Sequence, residues 1–311
     1  MISGMFDLKQ LRTFCEVADS GSVSKAADRL RIAQPALTRQ VHLLESDLEI
    51  RLFDRHSRGV DLTEDGRAFL TRARSILRDA ERTREEFRAR SGAVTGPVAL
   101  AIAPALVDFL LGRVIAAYGR SHPDVQIEIV EGFTGYIEEW LIDGRIDLAV
   151  LYDPRADKRV RREALVPEKL FMVGTPERGF HIDQPCPLAS LASEKLITAS
   201  REQRLREVIE DAAERAGITL SIAFEANSLN VHKALVRQGL GISVLPYGAI
   251  AREVSAGLLS AAPIYRPELS WQVTLASPAL SRPSIAARTL AETIRTTVAA
   301  LTEAGDWPGQ V

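Results

Sequence analysis

Between Leu8 and Leu48 the sequence carries three short apolar stripes at helical spacing, with breaks so brief that they hold only turns. Leu8, Leu11, Phe14, Cys15 and Ala18 make the first stripe. Ser20-Gly21-Ser22 interrupts it, and Ser22 is a suitable N-cap for a second helix from Val23 to about Leu30, with Val23, Ala26, Ala27 and Leu30 inward. Arg31-Ile32-Ala33 is a tight turn. A third helix starts at Gln34-Pro35, where the missing proline N–H would have no partner anyway. It buries Ala36, Leu37, Val41, Leu44 and Leu48. Two short helices that cross at a small residue, Ala27, over a tight turn form the helix-turn-helix plan. In that plan the second helix lies in the major groove with its N-terminal residues at base edges. Here those residues are Gln34, Pro35, Thr38 and Arg39; Gln pairs with adenine and Arg with guanine.

Bulk charge says nothing for nucleic acid: 39 basic residues against 41 acidic leave a net charge of −2. The local balance differs, because Lys25, Arg29, Arg31 and Arg39 face a single acid, Asp28. Ser24 and Lys25, at the start of the first helix of the pair, join the candidate DNA contacts. Leu52-Phe53-Asp54-Arg55 and Val60-Asp61-Leu62 read as two strands around the polar turn His56-Ser57-Arg58-Gly59, a wing with Arg55 and Arg58 near its tip. Such an arm reaches the phosphate backbone or the minor groove. His42 and His56 have no convergent ligands in sequence, so no metal site is expected. Cys15 sits on an apolar stripe and reads as core.

Residues 8–66, with Gln34-Pro35-Ala36-Leu37-Thr38-Arg39-Gln40-Val41, Leu44-Glu45, Leu52-Phe53-Asp54-Arg55 and Leu62-Thr63-Glu64-Asp65-Gly66 in register, closely resemble the LysR-type winged helix domain. The resemblance implies DNA contacts from Gln34, Pro35, Thr38 and Arg39, and a wing contact from Arg55. Chains of this type start just before the Leu8 position, so Met1–Gly4 reads as an extension. Residues 63–90 form a connecting helix whose Phe69, Ala73, Ile76, Ala80, Thr83 and Phe87 recur at heptad-like spacing, with Leu70 and Leu77 widening the seam. The expectation is a dimerisation helix, and the resemblance adds a tetramer built as a dimer of dimers. A symmetric dimer binds double-stranded DNA at a promoter with dyad symmetry. RNA polymerase is a further partner if the protein activates transcription.

Ser91 to Pro97 is a linker rich in breakers. Beyond it strand and helix patterns alternate, which implies a mostly parallel sheet flanked by helices, with a ligand outside the carboxyl ends of the strands. The sequence contains no dinucleotide fingerprint, P-loop, nucleophile elbow or catalytic constellation, so an enzyme is not expected and neither is a cofactor. Residues 97–301 resemble the LysR-type effector domain, a two-lobed plan like that of periplasmic binding proteins, through Pro123-Asp124-Val125, Glu131-Gly132, Leu141 to Val150 and Val236 to Pro246. The expected fold is therefore an N-terminal all-α winged helix-turn-helix (1–66), a linker and dimerisation helix with hinge (67–96), and a C-terminal α/β effector domain (97–311). Its lobe I covers 97–163 and 268–301, and its lobe II 164–267.

The expected cleft residues lie where strands end and helices begin, because free N–H groups and the helix dipole favour an anion there. They are Ala103 and Ala105, Thr134 and Gly135, Ser200 and Arg201, and Asn227 and Ser228. Arg201 or Arg204 suits a carboxylate, so the expected effector is a small molecule, and an anionic one fits these positions. Relatives often carry Ser or Thr at the Ala105 position, and the alanine weakens that contact.

A length of 311 residues fits two or three domains, and 46% hydrophobic with 26% charged residues fits a soluble protein. Two distant cysteines make neither a disulfide framework nor a zinc site. The most apolar window, Val98 to Ala117, is broken by Pro104, Asp108, Gly112 and Arg113 and cannot span a membrane. With no signal peptide in view, a cytoplasmic location is expected.

Overall fold

The computed structural model describes residues 6–56, 59–89, 94–279 and 282–307. The chain separates into two compact units, Met1–Ser91 with Ile142–Arg145, and Gly92–Leu141 with Ile146–Val311. Arg58, the Phe87 side chain and residues 91–93 of the expected linker lie outside the described residues.

Local chemistry sets each boundary of the first unit. Helix α1 (Leu8–Ser20) opens on a capping box: Asp7 accepts from the Gln10 N–H at 2.7 Å and Gln10 accepts from the Asp7 N–H at 2.7 Å. Gly21, at φ 60°, closes it. Helix α2 (Val23–Leu30) is capped by Ser22 and ends at Arg31, a left-handed residue at φ 54°. Helix α3 (Gln34–Leu48) carries Pro35 in its first turn. Glu45 on α3 accepts from the Leu52 and Phe53 N–H groups at 2.8 and 3.2 Å, which fixes where the following hairpin begins. That hairpin pairs β1 (Phe53–His56) with β2 (Gly59–Leu62), Phe53 opposite Leu62. Leu11, Phe14, Val17, Ala26, Leu37, Leu44 and Leu52 are fully buried between these elements.

The long helix α4 (Glu64–Ala89) completes this core instead of leaving it. Leu70 and Ala73 are buried, Phe69 and Leu77 pack beside them, and the Phe69 ring meets Phe14 at 5.2 Å. Part of the expected dimer seam is thus taken up by the chain's own core. Ile76, 38% exposed, remains on the outside.

The second unit begins with β3 (Gly96–Ile102), a short α5 (Pro104–Leu106), a π turn at Val107–Leu111 and α6 (Gly112–Ser121). Then come β4 (Val125–Glu131), α7 (Thr134–Ile142), β5 (Leu148–Tyr152), the fifteen-residue β6 (Val160–Gly174), β7 (Cys186–Pro187) and β8 (Lys195–Thr198). The chain continues through α8 (Arg204–Arg215), β9 (Ser221–Glu225), α9 (Leu229–Arg237), β10 (Ile242–Pro246), α10 (Ala251–Ser255), β11 (Ser260–Tyr265), β12 (Ser270–Pro278) and α11 (Ile285–Glu303). The strands run in the order β4-β3-β5-β12-β6-β10-β8-β9, with β11 on β6 and β7 on β11.

Parallel pairs occupy the two flanks, but the middle is antiparallel, since β12 pairs with β5 and β6, and β6 pairs with β10 and β11. The sheet is mixed rather than mostly parallel. Strand β6 stays with β12 as far as Lys169 and then pairs with β10 from Leu170, so the pairing changes lobes later than the expected border between 163 and 164.

Two consequences are measurable. A Cβ on Gly59 would lie 2.4 Å from the Gly21 carbonyl oxygen, which also accepts the Val60 N–H at 3.1 Å. Gly59→Ala is expected to cost about 1–3 kcal/mol by forcing the wing off α1, read as a lower urea midpoint for the N-terminal unit; an unchanged midpoint would show slack in that contact. Burial pushes the Cys15 thiol up to about 12, against the opposing pull of Arg74. Of the two thiols, only half-buried Cys186 should react quickly with Ellman's reagent at pH 8, and two fast thiols would contradict the burial of Cys15.

Candidate DNA-binding surface and effector cleft

The first turn of α3 presents Gln34 and Pro35 outward, and Arg39 follows one turn on; all three are exposed, while Thr38 is half-buried. Among the described residues no hydrogen bond or ion pair ties down the side chains of Gln34, Arg39 or Lys25. Lys25 and Ser24 are exposed at the start of α2, with the Ser24 hydroxyl 3.1 Å from that of Ser22. Arg29 is paired with Glu16 at 3.1 Å, so part of the expected local basicity is neutralised. On the wing, exposed Arg55 lies 3.2 Å from His42 Nε2 on α3, which steadies its guanidinium beside that helix.

The second unit holds a cleft in two adjoining compartments. The inner one, about 40 Å³, is lined by Ala103, Pro104, Ala105, Phe133, Thr134 and Tyr152 from one side, and by Gln203, Arg204, Leu205, Leu229, Leu245, Pro246 and Trp271. The outer one shares Pro104, Phe133 and Leu229 and adds polar groups, including Asp108, Glu131, Asn227, Ser228 and Lys233. Of the expected cleft residues, Ala103, Ala105 and Thr134 therefore meet in the inner compartment, and Asn227 and Ser228 in the outer.

Gly135 faces Gln203, whose amide oxygen would lie 3.5 Å from a Cβ placed there. Ser200 lines neither compartment; its hydroxyl and N–H are bonded to Asn227 at 2.8–3.0 Å. Arg201 is exposed and lines neither compartment. Arg204 donates to the Asp153 carbonyl at 3.1 Å and pairs with Glu207 at 2.8 Å. Thr134 donates its hydroxyl to the Tyr152 carbonyl at 3.0 Å.

Sequence reasoning passed over the inner wall. Tyr152 on β5 and Trp271 on β12 stack with ring centroids 3.8 Å apart at 15°. Behind them lies Glu168, 1% exposed, directly across the ladder from Trp271. It accepts from the Tyr152 hydroxyl at 2.8 Å and from the Gly248 N–H at 3.3 Å. Burial outweighs both bonds and raises its carboxyl to about 7. Sequence offered no signal for it, because an acid beside Lys169 in a charged stretch reads as a solvent-facing position.

Among the described residues no group of His, Cys, Asp and Glu is arranged to hold a metal, and no helix is long and apolar enough to cross a membrane. Residues 8–67 match the family described as bacterial regulatory helix-turn-helix protein, lysR family, and residues 91–299 match the LysR substrate binding domain. The chain is 30% identical over 303 residues to the HTH-type transcriptional regulator BbuR of Bordetella bronchiseptica, covering 97% of this chain and 93% of that one. It is 29% identical over 300 residues to the nitrogen assimilation regulatory protein nac of Escherichia coli, covering 94% and 95% respectively. A full-length OxyR variant from Pseudomonas aeruginosa shares the fold with a TM-score of 0.75 at 22% identity, over 94% of this chain and 95% of that one.

A helix-turn-helix with free polar side chains on its second helix, together with a two-lobed cleft, defines a DNA-binding regulator with an effector domain. The chain belongs to the LysR family of transcriptional regulators. Its relatives are regulators of transcription and not enzymes.

The buried carboxyl gives a pH test. Its folded value lies above the ordinary 4.5, so the neutral form is favoured in the fold. The stability this lends is complete below about 4.5 and is lost as pH rises to about 7, an effect on the order of 3 kcal/mol. Glu168→Gln should flatten the fall in melting temperature between pH 5 and 8. A variant that keeps the wild-type slope would assign that slope to other groups.

Proposed function

We propose that α3 enters the major groove and reads bases with Gln34, Pro35, Thr38 and Arg39, while Ser24, Lys25 and Arg55 hold the phosphate backbone and set the register. The observation that carries this reading is that the side chains of Gln34 and Arg39 are exposed and, among the described residues, uncommitted in the first turns of a helix that opens on Pro35. The cleft takes a small-molecule effector. Ala103, Ala105, Thr134 and Gly135 contact it from one lobe, Asn227 and Ser228 from the other, and Ser200 and Arg201 contribute after rearrangement. Any anionic group on the effector sits at the start of α9, where first-turn N–H groups favour negative charge.

The working assembly is a dimer or a tetramer on a promoter with dyad symmetry, in the cytoplasm, and it contacts RNA polymerase if it activates. The effector controls transcription only to the extent that it binds two arrangements of the protein with different affinity. Arg39→Ala should weaken binding to the protein's own upstream region by about 1–3 kcal/mol, the worth of one good base contact. A gel-shift titration at fixed salt reads this; unchanged affinity would remove Arg39 from the reading set.

A further inference from the structure

We propose that the inner compartment takes the uncharged, planar end of an amphipathic effector, a ring whose hydrogen-bond donor is accepted by Gln203. The proposal rests on the reading of the cleft as the effector site and adds the chemistry of its occupant.

The first argument is what the compartment lacks. Among the described residues its one charged lining group is Arg204, and that charge is committed to Glu207 and the Asp153 carbonyl. Glu207 also pairs with Arg155, so the cluster is closed on itself. Thr134 donates its hydroxyl hydrogen bond to the Tyr152 carbonyl, and Ala105 offers a methyl group. A carboxylate here would lose its hydration and gain no cation, which is strongly unfavourable.

The second argument is what is left over. Gln203 is 2% exposed, and its amide oxygen has no hydrogen-bond partner among the described residues. Trp271, 8% exposed, holds an indole N–H in the same condition. Both residues line the compartment. Buried polar atoms without partners are uncommon and costly; a ligand donor at Gln203 would remove that cost. The flat Tyr152–Trp271 stack beside them favours a planar partner. At about 40 Å³, against the roughly 10–15 Å³ that one water needs, the space admits the edge of one small ring unless the lobes part. The charged or polar end then lies in the outer compartment with Asn227 and Ser228.

The test uses phenol, toluene and benzoate as probes, titrated calorimetrically into the full chain. Phenol is expected to bind saturably and at least about tenfold more tightly than toluene, and benzoate, which enters ring-first with its carboxylate in the outer compartment but offers Gln203 no donor, is expected to be unaffected by Gln203→Leu. Gln203→Leu should weaken phenol by about tenfold, the worth of one buried hydrogen bond, while toluene is unchanged. Gly135→Val, which fills the space against the Gln203 amide from the opposite lobe, should abolish binding of both rings. No saturable phenol binding, benzoate weakened as much as phenol by Gln203→Leu, or an unchanged phenol-to-toluene ratio in that variant would each overturn the proposal. The same preparations are assayed for preference for their own upstream DNA. Loss of that preference in the wild type defeats the regulator reading, whereas its retention confines failure to the effector chemistry.

Discussion

The antiparallel ladder between β6 and β12 carries the second unit. It runs from Val160 opposite Pro278 to Lys169 opposite Ser270, and β6 then continues, without a break in the chain, into pairing with β10 and β11. One strand is therefore a member of both lobes, and no loop intervenes to decouple them. The wall of the cleft hangs from this ladder: Trp271 lies on β12, Tyr152 on the adjacent β5, and Glu168 sits on β6 opposite Trp271. Glu168 joins the hydroxyl of one lobe to a backbone N–H that follows β10 in the other.

The inner compartment is economical with charge, Arg204 being its one charged lining group among the described residues. Arginines near it are closed in ion pairs, as with Arg204 and Glu207, or bury their charge elsewhere, as Arg206 does against Glu210 and Glu225. The Ser200–Asn227 pair likewise satisfies itself. An occupant must offer something these groups do not already have, and the amide oxygen of Gln203 is the clearest opening.

The first sixty-odd residues were legible because every boundary there is local. The Ser22 cap, Pro35 in the first turn and the left-handed Gly21 each act within a few residues. Strand β6 was legible only at its end. Residues 160–169 alternate charged, exposed positions with few buried ones, and their strand character comes from β12, more than a hundred residues later. The passage from β3 to α6 runs through the short α5, starting at Pro104, and a π turn, which no periodicity announces. In the cleft, the rule that ligands meet strand ends located Ala103, Thr134 and Ser228 but chose Ser200 and Arg201 instead of Gln203. A short turn separates β8 from α8, which starts at Arg204, and it carries the inward position three residues further on. Tyr152 and Trp271 escaped notice because an aromatic inside a strand looks like ordinary core.

Helix α4 shows how little a domain border drawn from sequence motifs need coincide with a folding border. The winged motif is complete by Gly66, yet Leu70 and Ala73 are interior residues of the same core, and Phe69 closes over Phe14. A fragment cut at the motif's end would expose that ring and leave two vacated sites beside it. The smallest piece able to stand alone must include the opening turns of α4 through Leu77, so the segment that leads away from the DNA reader is also part of what holds the reader together.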